Sequence, residues 1–255
     1  MPATLTTATS PNVTLSTSRV TLSDSATLSG GSNPTGTITF TLTGPGNVTE
    51  FTDVVTVNGN GTYTTLQGTN PGGFTLPTSG TVAGTYSWNA TYSGDPNNNG
   101  ATASPEPTVV SPASPGLSTT ASPGGIAGTT LTDIAHLSGG YFPTGTITFQ
   151  LASPGGLAFD TEIIPVSGNG DYRTPSGFTL PTGTVAGTDV WHVTYSGDPN
   201  NNGATANLEN VTVGPQADLS VIITDGRTSC ARHQRHLHNR GQQQRAEHGQ
   251  QRHPD

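Results

Sequence analysis

The sequence contains no lysine and a single cysteine, Cys230. One cysteine cannot close an intrachain disulfide, so packed cores and sheet hydrogen bonds must supply the stability. The missing lysine rules out a Gly-rich phosphate loop of the usual kind, and no glycine cluster opens a helix to replace it. Charged residues make up 9% and aliphatic and aromatic residues 30% of the 255 positions, both low for a globular chain. No apolar run approaches the roughly 20 residues that cross a bilayer. The opening Met1-Pro2-Ala3-Thr4 lacks the basic and apolar regions of a secretion signal, so an export signal is expected to lie outside this chain. What is abundant is threonine, with 46 residues, beside 34 glycines and 20 prolines. β-Branched and turn-forming residues favour strands over helices and exclude a helical bundle.

Charge is divided along the chain. Residues 1–226 hold 14 Asp and Glu against Arg19 and Arg173, whereas residues 227–255 hold six Arg against Glu247 and Asp255. An acidic body with two bases repels phosphate backbones, so nucleic-acid binding by residues 1–226 is not expected.

An internal repeat sets the organisation. PTGTITF occurs at Pro34–Phe40 and at Pro143–Phe149, and VNGNGTY at Val57–Tyr63 answers VSGNGDY at Val166–Tyr172, both offset by 109 residues. GFTLPTSGTVAGT from Gly73 answers GFTLPTGTVAGT from Gly177, and SGDPNNNGATA at Ser93–Ala103 recurs at Ser196–Ala206 with an offset of 103. The deletions, including one at Ser79, fall in Gly/Pro/Ser-rich connections, as loop changes do. Each copy is long enough for its own core. The expected plan is an N-terminal extension at 1–10, a first repeat at 11–110, a Pro/Ser linker at 111–116, a second repeat at 117–215, and the opening strand of a truncated third repeat at 216–226. Alternating prolines in Ser111–Gly116 favour an extended spacer that holds the repeats apart.

Within a copy, apolar residues alternate with Thr or Ser: Ile38, Phe40 and Leu42; Val55 and Val57; Trp88, Ala90 and Tyr92. The second copy keeps the face with Ile147, Phe149 and Leu151; Ile164 and Val166; Trp191, Val193 and Tyr195. A period of two marks strands with one buried face. Turn clusters such as Asn58-Gly59-Asn60-Gly61 separate them. About seven short strands per copy fit, which predicts an all-β chain of two tandem antiparallel β-sandwiches.

The series PTGTITF, GNGTY and AGTYSWNATYSGDPNNNG resembles the bacterial immunoglobulin-like repeats found in tandem on large surface and adhesin-type proteins. The resemblance covers residues 11–215. It implies immunoglobulin-like sandwiches, an extracellular or cell-surface location, a monomer, and a non-enzymatic spacer or stalk whose partners are other repeats of the same protein. Related stalk domains lock themselves with Lys–Asn or Lys–Asp isopeptide links, which a lysine-free chain cannot form. By the same resemblance Tyr86 takes the tyrosine-corner position, where the second copy has Asp189. The alternative is an adhesion module whose end loops bind a glycan, a protein receptor or calcium, using Tyr141 and Phe142, which replace Ser32 and Asn33 of the first copy, as exposed aromatics.

Chemistry-bearing residues are sparse. His136 and His192 alternate with buried positions and are expected to face outward; Thr27 and Asn89 stand in their places in the first copy, so no shared catalytic or cofactor site is expected. Asp95 and Asp198 head the two Gly-Asp-Pro-Asn-Asn-Asn-Gly loops. Calcium takes ~6–8 oxygens, whereas Asp-Pro followed by Asn-Asn-Gly makes a good turn. Asp53, Asp160 and Glu162 could join such a site only if strands bring them close. Asn-x-Thr sequons at Asn12, Asn47, Asn60, Asn89 and Asn210 are expected by chance in a chain this rich in Asn and Thr.

The composition breaks after Gly226. ADLSV followed by TDG resembles the start of the conserved repeat domain of unknown function of bacterial surface proteins, which continues with PGTSVTYTIVVSNNGPS-like strands. Residues 227–255 are instead rich in Arg, His and Gln, and offer too little apolar surface to order themselves. The residues from Ala231 can be written with codons GCC, CGG, CAC and CAG, which read one base later give Pro-Gly-Thr-Ser, so the expected reading is a frameshifted, disordered tail. Its rivals are a metal site of His233, His236 and His238 and a basic nucleic-acid tail.

Overall fold

A computed structural model of the chain describes residues 2–153 and 157–215. The strand expected at 216–226, Cys230 and the Arg/His/Gln tail lie outside those residues. The first repeat forms β1 (Thr4–Thr9), β2 (Val13–Thr14), β3 (Thr21–Leu22), β4 (Asp24–Ser29), β5 (Thr37–Thr43), β6 (Thr49–Thr56), β7 (Gly61–Thr64), β8 (Phe74–Thr75), β9 (Gly84–Tyr92), β10 (Ala101–Thr102) and β11 (Glu106–Ser111). The second forms β12 (Gly116–Ala121), β13 (Thr130–Leu131), β14 (Asp133–Ser138), β15 (Thr146–Ala152), β16 (Ala158–Pro165), β17 (Gly170–Arg173), β18 (Phe178–Thr179), β19 (Gly187–Tyr195), β20 (Ala204–Thr205) and β21 (Glu209–Val213). Seven strands in each repeat have four residues or more. There is no helix among the described residues.

Each repeat folds as two main sheets around a core, with a separate two-stranded sheet, β3-β8 in the first and β13-β18 in the second. In the first, β1-β4-β7 faces β2-β11-β9-β5-β6, with β10 on the edge of β9; in the second, β12-β14-β17 faces β16-β15-β19, with β20 and β21 pairing β19. Pairing is antiparallel apart from β2 against β11. The alternation read from sequence is the alternation of burial: Ile38, Phe40 and Leu42 on β5 and Tyr86, Trp88, Ala90 and Tyr92 on β9 point inward. Trp88 meets Phe51 edge-on at 5.8 Å, and Trp191 meets Phe149 at 6.4 Å. Truncating such rings costs about 3–5 kcal/mol, so these pairs anchor the two cores.

Two boundaries differ from the sequence expectation. Residues 1–10 carry a strand: β1 pairs along its length with β4, from Thr4 opposite Ser29 to Thr9 opposite Asp24. Only Leu5 of that strand is buried. A single inward apolar side chain leaves little periodic signal, which is why the strand escapes a pattern search. The linker is also not a free spacer. Ala113 is fully buried, donates its N–H to the Asn200 carbonyl at 2.8 Å and accepts the Asn202 N–H at 2.8 Å. Proline removes its own donor but leaves the intervening residue able to bridge, and Ala113 does so.

Candidate functional site

The two Gly-Asp-Pro-Asn-Asn-Asn-Gly loops are built alike. Gly94 and Gly197 take φ of 75° and 73°, and a Cβ at either would come within about 2.8 Å of loop backbone, so only glycine fits. The Asp95 carboxylate accepts the N–H groups of Thr35 at 2.7 Å, Asn97 at 2.7 Å and Asn98 at 2.9 Å, the Tyr92 hydroxyl at 3.0 Å, and the Asn98 side-chain amide. Donation from Thr35 N–H, then from the Asn98 amide, holds its pKa far below the usual carboxylate range. Asp198 repeats the pattern with Thr144, Asn200, Asn201 and Tyr195. Burial pushes Asp198 up, but those donors outweigh it and the net shift is downward. The carboxylates therefore organise turns through hydrogen bonds to their own neighbourhood.

The further ligands considered for calcium do not gather with them. Asp53 is buried on β6, accepts the Asn70 N–H at 2.7 Å, and packs where a Cβ on Gly68 would collide with it. Glu162 accepts the N–H groups of Ser176 and Gly177 at 3.0 and 3.1 Å. Asp160, half-buried on the same strand, is raised by burial and then by Glu162. No group of three His, Cys, Asp or Glu able to hold a metal occurs among the described residues. His233, His236 and His238 lie outside them.

The second loop does more than turn. Asn200 projects into the first repeat, where its Oδ1 accepts the N–H of Val82 at 2.7 Å and of Ala83 at 3.0 Å and its Nδ2 donates to the Gly80 carbonyl at 2.7 Å. Asn201 holds Tyr141 by both backbone groups, at 2.7 and 3.0 Å, as Asn98 holds Ser32 in the first repeat. Tyr141, expected as an exposed adhesive aromatic, is instead fully buried in the first repeat's core. Its hydroxyl donates to the carbonyls of Pro77 at 2.8 Å and Leu76 at 3.3 Å, and Arg19 Nε donates to Leu76 as well, at 3.1 Å. Phe142 stands edge-on to Tyr141 at 5.0 Å, is 44% exposed, and adopts φ of 42°, a conformation costly for an aromatic residue. Asn33 takes φ of 44° at the matching position, so the turn is inherited and the aromatic is placed upon it. Sequence alone gave no role to Asn200; the signal was the loop's unbroken repetition.

Tyr86 forms the corner bond, its hydroxyl donating to the Val82 carbonyl at 2.9 Å, and burial, then Glu50 and Tyr141, push its pKa to about 12. It thereby braces the segment that receives Asn200. His136 Nδ1 lies 2.6 Å from Asp171 and its Nε2 3.3 Å from Thr120. The row runs across three strands on a solvent-facing sheet surface. His192 faces outward on β19, beside a shallow cleft with Val190 and Leu208.

One repeated feature went unread in the sequence. Asp24 and Asp133 point inward at the head of β4 and β14, and one carboxylate oxygen of each has no partner. Burial raises both to about 6, offset by the N–H of Ser25 or Ile134 and reinforced by Glu106 or Glu209 from the opposite sheet.

No family model and no curated protein matches the chain. Solved structures do: one is a crystal structure described as a tetra-tandem repeat in the extending region of a large adhesion protein, with a TM-score of 0.46 and 17% identity over 84% of this chain and 49% of that one. The chain thus spans about half the length of that structure.

Proposed function

We propose that the chain is a non-enzymatic spacer, a pair of immunoglobulin-like repeats within the stalk of a bacterial cell-surface or secreted protein. The observation that carries this reading is the joint between the repeats: Asn200 makes three hydrogen bonds to the first repeat's backbone, and the single Tyr141 hydroxyl proton is shared between two of its carbonyls. At about 1 kcal/mol net per bond, plus the burial of a phenol ring, the joint resists bending by a few kcal/mol. A spacer needs such stiffness, since a flexible connection would let modules collapse on one another. The lysine-free, threonine-rich composition suits a solvated extracellular segment, and the partners are further repeats of the same protein. Backbone 15N relaxation tests the reading. Both repeats should tumble with one correlation time, and in the Asn200→Ala/Tyr141→Ser double variant they should separate. Independent tumbling in the unaltered chain would overturn it.

A further inference from the structure

The repeats are close enough in sequence that each serves as a template for the other, and at one place three differences meet. In the first repeat Tyr86 packs against Phe74 with ring centroids 6.1 Å apart. In the second, Asp189 replaces Tyr86, Phe159 replaces Glu50, and the turn has lost the counterpart of Ser79. Phe159 now packs on Phe178 at 4.8 Å, and the shortened turn closes with Thr184 donating its N–H and hydroxyl to the Pro181 carbonyl at 3.2 and 2.6 Å. The result is a cleft of about 290 Å³ walled by Phe159, Phe178, Leu180 and Pro181, with Asp189 among its lining.

Packing alone does not account for Asp189. A tyrosine lost from a core is replaced at least cost by an apolar residue, whereas a half-buried carboxylate beside two phenylalanines is penalised unless it is paired. No hydrogen bond or ion pair to this carboxylate occurs among the described residues, and burial raises its pKa. Arg19 is engaged at the Leu76 carbonyl. Arg173, the other arginine among the described residues, forms no ion pair with Asp189 either. A pyranose would ask for several polar partners, yet the Thr184 hydroxyl is already donated to Pro181. A guanidinium needs less: one carboxylate for its paired N–H groups and an aromatic face for its plane.

We propose that this cleft binds an arginine side chain of a partner protein, its guanidinium paired with Asp189 and its plane and stem laid on Phe159 and Phe178. Val185, the residue after Thr184 in sequence, is 85% exposed. Leu180, Pro181 and Val185 correspond to Leu76, Pro77 and Val82, which receive the second repeat in the joint, but the arginine titration reads Asp189 and the relaxation test reads Asn200 and Tyr141, so either reading can fail alone.

The test is an NMR titration of the full 15N-labelled chain with N-acetyl-arginine methylamide, its neutral isostere N-acetyl-citrulline methylamide, and methyl β-galactopyranoside. Saturable shifts are expected at Phe159, Phe178, Thr184 and Asp189, with none at Tyr86 and Phe74. The citrulline compound should bind at least tenfold more weakly, Asp189→Asn should lose at least tenfold for the arginine compound, and Phe159→Leu several-fold. Absent or non-saturable shifts, equal response to citrulline, matching shifts in the first repeat, or preference for the pyranoside would each overturn the proposal. Should Asp189→Asn fail to fold, the arginine–citrulline comparison on the unaltered chain decides alone.

Discussion

The Asn200 carboxamide oxygen accepts the Val82 N–H at 2.7 Å, and the Val82 carbonyl in turn accepts the Tyr86 hydroxyl at 2.9 Å. The tyrosine corner of one repeat therefore holds the backbone to which the next repeat attaches. Val82 is fully buried beneath this contact, whereas its counterpart Val185 is 85% exposed.

Asn200→Ala should destabilise the chain by about 1–3 kcal/mol, because it leaves the buried Val82 N–H without its acceptor. Urea unfolding followed by Trp fluorescence measures this. A loss below a few tenths of a kcal/mol would mean that water replaces the carboxamide.

Tyr86→Phe removes one buried hydrogen bond and keeps the ring, so a loss of about 0.5–1.5 kcal/mol is expected. Combined with Asn200→Ala, the two losses should be non-additive, since both act on Val82. Strict additivity in a double-mutant cycle would refute the coupling.

Asp24 and Asp133 set a pH dependence. Their folded pKa of about 6 lies above the usual value of 3.8, so the folded state binds protons more tightly than the unfolded chain. The stabilisation is complete below 3.8 and is lost as pH rises through about 6. The melting temperature should therefore fall between pH 5 and pH 7.5. Asn at either position should flatten that fall and gain on the order of 1–3 kcal/mol at pH 7.5. A melting temperature that rises over this range would contradict the assignment.

Asp95 and Asp198 act in the opposite sense. Both are held low, so their contribution is present above the ordinary carboxylate value and disappears as pH falls toward their own. Asp198→Ala should lower the melting temperature at pH 7 and loosen Tyr141 through Asn201, detectable as increased Tyr141 amide exchange. Because the carboxylate oxygens already accept internal donors, millimolar calcium should leave the melting temperature of the unaltered chain where chelator leaves it. A calcium-dependent rise would restore the loops as a cation site.

The alternation of Ile38, Phe40 and Leu42, or of Trp191, Val193 and Tyr195, determined the strands and their buried faces by itself, because side-chain direction in a strand is fixed by a period of two. The repetition of PTGTITF and SGDPNNNGATA likewise fixed two similar units. What tertiary structure alone decided was the destination of residues whose partners are distant in sequence. Tyr141 reads as an exposed loop aromatic because it stands in a Gly/Pro turn where the first copy has Ser32; its hydroxyl reaches Leu76 and Pro77, more than 60 residues earlier. Asn200 looked like one of three equivalent turn asparagines until the backbone of Val82 and Ala83 met it. Asp24 and Asp133 stand in phase with the inward Ala26 and Leu28 and the inward Ala135 and Leu137, but only the opposing sheet, bringing Glu106 and Glu209 across, decided the charges they face. Local pattern encodes which face of a strand turns inward; it carries no record of what a second sheet or a second repeat places there.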